Sequence, residues 1–282
     1  MIDLHCHILP GVDDGAKTLE DALEMARVAE KEGIEKIVAT PHLFRDNFNY
    51  GNFDVIETKQ RELAQAIREN NIAIELLPGA EVHIFHDLLG AVRRSKEDLV
   101  INRSSYIFVE FPATHVFSGV KNLFFELMSE NLTPIITHPE RNAVFIQNPV
   151  LLYELVQMGA LAQANSGSFL GLYGERTEKA VFQFLELHLI HFIGSDSHSA
   201  RSLSWRLRDA VEKAETIVGQ ERARALVKEN PLAVVENKEV PFVLPPTNPK
   251  EKEKSFSLKI PSVFRGNKNR EGAENKLDKS GK

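Results

Sequence analysis

Nine residues of the types that bind divalent cations fall in short, separate fragments of this sequence: His5, His7, Asp14, His42, Glu81, Glu110, His138, Asp196 and His198. Side chains of a strand alternate with period two, so His5 and His7 share one face while Cys6 points to the other, toward a helical layer, as a buried thiol. Asp196-Ser197-His198 repeats that spacing. Glu81 and Glu110 close strongly apolar runs, where an unpaired carboxylate is costly to bury and a bound cation removes the cost. Asp13-Asp14-Gly15 reads equally as a turn ahead of a helix and as a source of ligands.

Such a cluster would hydrolyse phosphate esters. Three divalent cations carry +6 against −4 from Asp14, Glu81, Glu110 and Asp196, which leaves a positive centre suited to a phosphate dianion. Cations of this kind turn water into hydroxide near neutral pH, for in-line attack on phosphorus, and stabilise the leaving oxygen. Arg141, three residues past His138, offers a bidentate guanidinium clamp, with a surface ion pair to Glu140 as its plain alternative. The single cysteine, Cys6, lies in no Cys-x5-Arg loop, and no Walker-type glycine loop occurs, so covalent thiol catalysis is disfavoured. His83, His86, His115, His188 and His191 read as structural or surface residues, with His83 and His115 near enough to the proposed mouth to touch a substrate.

The fold has to bring these fragments together. Short apolar runs alternate with longer helical stretches, the rhythm of a parallel sheet with helices packed outside it. Seven runs, at 2–7, 36–40, 72–81, 106–111, 134–138, 161–165 and 191–195, have the Ile/Val/Phe/Ala content of strands buried on both faces. Eight of the ligand-type residues, all but Asp14, stand at or just past the carboxyl ends of six of these runs, and in a barrel of parallel strands those ends open onto one mouth. The first helix is the clearest: Thr18 caps it, Asp21 reaches back, Gly33 closes it, and Ala22, Met25, Ala26 and Ala29 form its inward stripe. Further helices are expected at 55–70, 120–131, 150–158, 177–187, 203–218 and 221–229, the last stopping before Pro231.

A length of 282 residues with 43% hydrophobic content allows one large barrel domain. The net charge of −6 argues against a nucleic-acid binder with a broadly basic surface. One cysteine excludes an intramolecular disulfide framework and fits a reducing compartment, so the cytoplasm is expected. No secretory signal and no bilayer-length apolar run is evident, so no membrane insertion is expected. From 241 onward the composition turns Pro/Lys-rich, and residues 241–282 are expected to form a disordered tail. Within it, residues 249–282 hold ten Lys/Arg against five Asp/Glu, roughly +5, leaving about −11 on the body. The stretch 256–264 is its only apolar patch.

The run His5-Cys6-His7-Ile8-Leu9-Pro10-Gly11-Val12-Asp13-Asp14-Gly15 resembles the opening of the capsule-type bacterial protein tyrosine phosphatases, members of the polymerase and histidinol phosphatase (PHP) superfamily. Ala39-Thr40-Pro41-His42, Pro78-Gly79-Ala80-Glu81, Thr137-His138-Pro139-Glu140-Arg141-Asn142, Asn165-Ser166-Gly167-Ser168 and Gly194-Ser195-Asp196-Ser197-His198 are similar to that family's motifs, in order. The resemblance covers residues 1–240. It implies a distorted seven-stranded (β/α) TIM-like barrel and up to three metal ions, commonly manganese, with iron, zinc or magnesium as alternatives. By the same resemblance one ion takes His5, His7, Glu81 and Asp196. A second shares Glu81 and adds Glu110 and His138, and a third uses Asp14, His42 and His198. Arg141, with His42, Asp196 and His198, would act on the phosphate. The implied substrate is a phosphotyrosine protein, a bacterial tyrosine kinase of capsule or exopolysaccharide synthesis, and a homo-oligomer is compatible with this reading.

One departure stands out. Many relatives carry a second arginine five residues after the last metal histidine, where this chain has Leu203, and Arg201 or Arg206 are the candidate substitutes. Two alternative functions fit parts of the pattern. One is a small-molecule phosphatase of the histidinol-phosphate type, against which the long Leu-Pro-Gly-Val-Asp-Asp-Gly segment speaks. The other is a non-catalytic metal-bearing scaffold, against which the full ligand set speaks.

Overall fold

The computed structural model describes residues 1–45 and 53–251. Nine strands occur among them: β1 (Ile2–Cys6), β2 (Lys36–Ala39), β3 (His42–Leu43), β4 (Glu75–Pro78), β5 (Glu81–His83), β6 (Tyr106–Glu110), β7 (Thr133–Thr137), β8 (Leu161–Asn165) and β9 (Phe192–Gly194). Every ladder between them is parallel. They form two sheets, ordered β1-β2-β4 and β3-β5-β6-β7-β8-β9. A parallel bridge from Cys6 to Ser197, just past β9, links β1 to the far edge of the second sheet.

The third of the seven expected runs is broken in two, and the second, at 36–40, is followed by a further short strand outside the expected runs. Pro41, which has no N–H to give a ladder, separates β2 from that strand, β3. Gly79 and Ala80 separate β4 from β5, where a Cβ on Gly79 would come within 2.6 Å of Val38 Cγ1. Glu81 therefore opens β5 instead of closing the third run, and it pairs with His42 on one side and Phe108 on the other.

The helix Leu19–Glu32 has the expected ends. Thr18 Oγ1 accepts the Asp21 N–H, Asp21 Oδ2 accepts the Thr18 N–H, and Gly33 turns out of the helix at φ 85°. Its Ala22, Met25, Ala26 and Ala29 are buried. Helices at Phe53–Glu69, Val120–Ser129, Pro149–Gln157, Glu175–Glu186 and Leu207–Val218 lie within a few residues of the expected stretches, although a 3-10 turn, Leu203–Trp205, replaces the start of the last. Two readings are corrected. The stretch expected as one helix at 221–229 is divided into Gln220–Ala225 and Glu229–Val235, and Pro231 lies inside the second. It sits in the first turn, where a missing N–H costs no intrahelical bond. Leu88–Leu99 is a helix that the periodicity did not announce, because a non-helical Ser95 interrupts its stripe of Leu88, Ala91, Val92 and Leu99.

One apolar cluster joins the helices to the strands, and Cys6 belongs to it. A second takes one face of the strands: Ile2 and Leu4, Val38, Leu77, Tyr106 and Phe108, Ile135, Leu161 and Phe192, closed by Ile101 and Ala233–Val235. Phe108 touches the ring of His5, with centroids 5.3 Å apart, so this packed floor ends where the polar residues begin. Past Val240 the chain stays against the body. Phe242 N–H donates to Asn230 Oδ1 and Thr247 N–H to the Leu187 carbonyl, so the first part of the segment read as a tail is hydrogen-bonded in place. The remainder, with 256–264, lies outside the described residues.

Candidate metal centre

All nine ligand-type residues converge in one cluster, to which His42 and Glu81 are brought by the first positions of β3 and β5. His5 Nε2 lies 3.4 Å from Glu81 Oε1 and 3.5 Å from Asp196 Oδ1. His7 Nε2 lies 3.3 Å from the same Asp196 oxygen and 3.6 Å from Glu81 Oε2. On the other side of Glu81, His138 Nε2 is 3.1 Å from Oε1 and His42 Nδ1 is 2.9 Å from Oε2. Glu110 Oε2 is 3.6 Å from His42 Nδ1, and Glu110 Oε1 is 4.0 Å from His138 Nε2. Asp14, half exposed at the rim, places Oδ1 3.3 Å from His198 Nε2 and 3.5 Å from His42 Nε2.

Three groups have ligand atoms mutually within 4.8 Å: His5, His7 and Glu81; His42, Glu81 and Glu110; and His7, Asp14, His42 and His198. They differ from the threefold division that the resemblance implies: Asp196 is absent from the first group, His42 stands in place of His138 beside Glu81 and Glu110, and His7 joins Asp14, His42 and His198.

The hydrogen atoms of the histidines are fixed from outside the cluster. Gln163 Nε2 donates to Ala164 O and Asn165 Oδ1, which pins the amide so that Oε1 accepts His5 Nδ1–H at 2.7 Å. Asp13 Oδ2 accepts His7 Nδ1–H at 2.8 Å, and the Asp196 carbonyl accepts His198 Nδ1–H at 2.9 Å. Each ring is left with Nε2 facing inward, the arrangement that orients metal-bound imidazoles. His5 Nε2 and His7 Nε2 stand 3.2 Å apart, two lone pairs in opposition unless a cation or a proton lies between them. Glu81 is fully buried, and the nitrogens of His5, His7, His42 and His138 all lie within 3.6 Å of its two oxygens. So many imidazole nitrogens gathered on one buried carboxylate form a donor set that fits divalent metal.

The same demand for positive charge is visible in the acid–base balance. Burial opposes the imidazolium of His5, but the carboxylates of Glu81 and Asp196 outweigh it and hold the ring up at about 9. His7 is raised well above the ordinary histidine value, burial being outweighed chiefly by Asp13. Against their own burial, Glu81 and Asp196 are held well below the usual carboxylate range, mainly by His5.

Backbone geometry aims the ligands. His138 and Asp196 occupy left-handed conformations, φ 32° and 49°, which cost energy for residues with a Cβ. Each is held there from a neighbouring strand, His138 N–H by Gln163 O at 2.7 Å and Asp196 N–H by His5 O at 2.8 Å. The 10–16 loop folds back so tightly that a Cβ on Gly15 would lie 1.9 Å from the His7 carbonyl oxygen. Glycine at that point lets Asp13 reach beneath His7 while Asp14 reaches over the mouth.

Arg141, on the turn after β7, donates from Nη1 to Asp196 Oδ2 at 2.7 Å and stacks over Tyr173, 4.5 Å from the ring centroid. Its partner is thus a candidate ligand and not Glu140, which is buried and accepts from Asn165 N–H and Ser168 Oγ. Arg206 is paired with Asp209, and Arg201 is exposed. His83 does approach the site, with Nδ1 3.2 Å from Glu110 Oε2.

Four residues at the site escaped the sequence reading: Asp13 beyond its turn role, Gln163, Asn165 and Arg45. Asn165 Nδ2 donates to Asp196 Oδ2 at 2.6 Å. A signal for Gln163 and Asn165 existed, since they are alternate polar residues in an otherwise apolar strand. Asp13 has three donors on two oxygens: His7 Nδ1–H, His42 N–H and Gly15 N–H. An amide cannot accept all three. Asp13→Asn is accordingly expected to weaken Mn2+ binding by about 10- to 100-fold, read by calorimetric titration, while thermal unfolding stays cooperative. Unchanged affinity would show that His7 needs no carboxylate behind it.

The sequence profile of the family described as "Capsular polysaccharide synthesis, CpsB/CapC" matches residues 1–236. Tyrosine-protein phosphatase YwqE of Bacillus subtilis (strain 168) is 36% identical over 259 residues, covering 92% of this chain and 100% of that protein. Putative tyrosine-protein phosphatase CapC of Staphylococcus aureus is 32% identical over 253 residues, 90% of this chain and 98% of its own. A solved structure from work on YwqE of Bacillus subtilis and CpsB of Streptococcus pneumoniae, called unique metal-dependent tyrosine phosphatases, superposes with a TM-score of 0.82. The match has 36% identity over 88% of this chain and 99% of that one.

Proposed function

The chain belongs to the CpsB/CapC family of capsular polysaccharide synthesis, and from that membership we propose that it is a metal-dependent protein tyrosine phosphatase acting at the cluster of nine ligand-type residues. The observation that carries this reading is the facing pair of His5 and His7 Nε2 atoms beside the buried carboxylates of Glu81 and Asp196. Up to three divalent ions, manganese first among them, would be held by His5, His7, Glu81 and Asp196, by Glu81, Glu110 and His138, and by Asp14, His42 and His198. Bound there, such ions acidify water and neutralise charge on the phosphate.

The protein's own side chains supply the rest. Asp13, Gln163 and the Asp196 carbonyl keep the Nδ1 protons of His7, His5 and His198 outside the site, so their Nε2 atoms remain available as ligands. Arg141 binds and orients the phosphate. We read the two sheets as one distorted seven-stranded barrel, because β3 follows β2 after two residues, β5 follows β4 after two residues, and Cys6–Ser197 bridges the remaining edge. The catalytic body would be 1–240, with the start of the Pro/Lys-rich remainder hydrogen-bonded to it. The substrate class is a phosphotyrosine protein, a cytoplasmic tyrosine kinase segment of capsule or exopolysaccharide synthesis being the reading favoured by family. A homo-oligomer is compatible with it.

Metal content by elemental analysis and hydrolysis of phosphotyrosine peptides by the same preparation test this reading together. Retained metal without turnover would point to the scaffold alternative, and a preference for small phosphate esters to the small-molecule one. Cys6→Ser separates the mechanism. The thiol is fully buried and burial pushes it well above its ordinary pKa, so it supplies no thiolate. Activity of Cys6→Ser is expected to stay within a few-fold of wild type, while a chelator abolishes it. Near-complete loss in a folded, metal-replete Cys6→Ser protein would establish thiol chemistry instead.

A further inference from the structure

Arg45 stands three residues past His42, at the end of β3, and its guanidinium enters the site. Nη1 donates to Glu110 Oε1 at 2.9 Å and lies 2.7 Å from His42 Nε2. With His83, Glu110, His138, Arg141 and Asn142 it lines a cleft of about 340 Å3. Of the two arginines that line it, Arg141 is held by Asp196, whereas Arg45 is held by Glu110 beside His42. The Arg45 side chain is one-third exposed, so its head has solvent-side room to move.

A guanidinium has five donors and no acceptor. The point that Nη1 takes, within bonding reach of both His42 Nε2 and Glu110 Oε1, is a point from which a cation would use the same lone pairs. A cation in the Glu110 group or in the His42 group claims one of those lone pairs, so either ion and the Arg45 head exclude one another, by occupancy and by charge. Displaced outward, the head stays tethered at the lip of the cleft that Arg141 also lines. Its carboxylate partner is then engaged elsewhere, and the acceptors that replace it are those of an anion in the cleft.

We propose that Arg45 is a second phosphate-binding guanidinium, released from His42 and Glu110 by cation binding so that it and Arg141 grip a phosphate monoester dianion in the one cleft that both line. The proposal rests on the phosphatase reading above and adds a residue, and a coupling between metal loading and phosphate affinity, to it. No bond is made or broken in this step. Its consequence is that phosphate binds after metal, because the fork that receives it is otherwise engaged with a ligand carboxylate.

Calorimetry on the full chain tests it in two stages. Mn2+ is titrated into chelator-stripped wild type, Arg45→Ala and Arg45→Lys, and inorganic phosphate is then titrated into the Mn2+-loaded proteins. Arg45→Ala is expected to bind Mn2+ at least as tightly as wild type, its competitor being gone. Its affinity for phosphate should be lower by about 10-fold or more, as for loss of a charge-assisted hydrogen bond. Arg45→Lys should fall between, since an ammonium keeps the charge but not the fork. Unchanged phosphate affinity in Arg45→Ala overturns the proposal whatever happens to Mn2+. Loss of Mn2+ binding in Arg45→Ala overturns it too, by making the residue a support of the metal site. A wild type that binds no Mn2+, or binds no phosphate once loaded, overturns the phosphatase reading along with it.

Discussion

Alanine at His5 or His7 is expected to remove metal and turnover together, lowering catalytic efficiency on a phosphotyrosine peptide by about 10^3-fold or more. Metal activation of water and neutralisation of the phosphate are each worth several kcal/mol of transition-state stabilisation, and roughly 4 kcal/mol already makes a thousandfold. Both rings are fully buried, and both Nε2 atoms border Glu81 and Asp196. Truncating either one takes away an inward-facing nitrogen and leaves Glu81 and Asp196 closer to a bare like-charge pair. Behind His5, Gln163 Oε1 loses its donor, while behind His7 Asp13 Oδ2 keeps only the His42 N–H. A folded protein with reduced metal content by elemental analysis and reduced activity is the expected result, with unfolding monitored alongside. Survival of full metal occupancy and turnover in both variants would show that the site has been placed wrongly.

Arg141→Ala should behave differently, losing substrate grip while keeping metal and fold. The guanidinium is more than a third exposed, and its two contacts are Asp196 Oδ2 and the Tyr173 ring. Asp196 keeps the Asn165 Nδ2 hydrogen bond when Arg141 is gone, so the carboxylate is not left unsatisfied and metal content should hardly change. A bidentate phosphate contact in a partly dehydrated site is worth about 2–3 kcal/mol, or roughly 30- to 150-fold in kcat/KM. Arg141→Lys should rescue little, because an ammonium cannot reproduce a planar fork. Equal efficiency of wild type and Arg141→Ala on a phosphotyrosine peptide would take the residue out of the site.

The sequence by itself determined the parallel α/β architecture, since apolar runs without polar alternation, spaced by amphipathic helices, can be buried only with helices outside. It also singled out the His and carboxylate residues that the structure brings into one cluster, because such residues at run ends have no apolar partner to satisfy them. Its helix ends were legible where the signal is local, as at Thr18, Asp21 and Gly33. Pro231 misled for the opposite reason, since proline marks a boundary but not which side of it the helix occupies. What tertiary structure alone decided is pairing at a distance. Gln163 lies behind His5 from 158 residues away, and Arg45 meets Glu110 across 65. Asp13 is committed to His7 and Asp14 to the rim only because Gly15 lets the loop close against β1. Residue type limits what a side chain can do, but the direction of its hydrogen bond depends on which strand end stands opposite, and no local spacing encodes that.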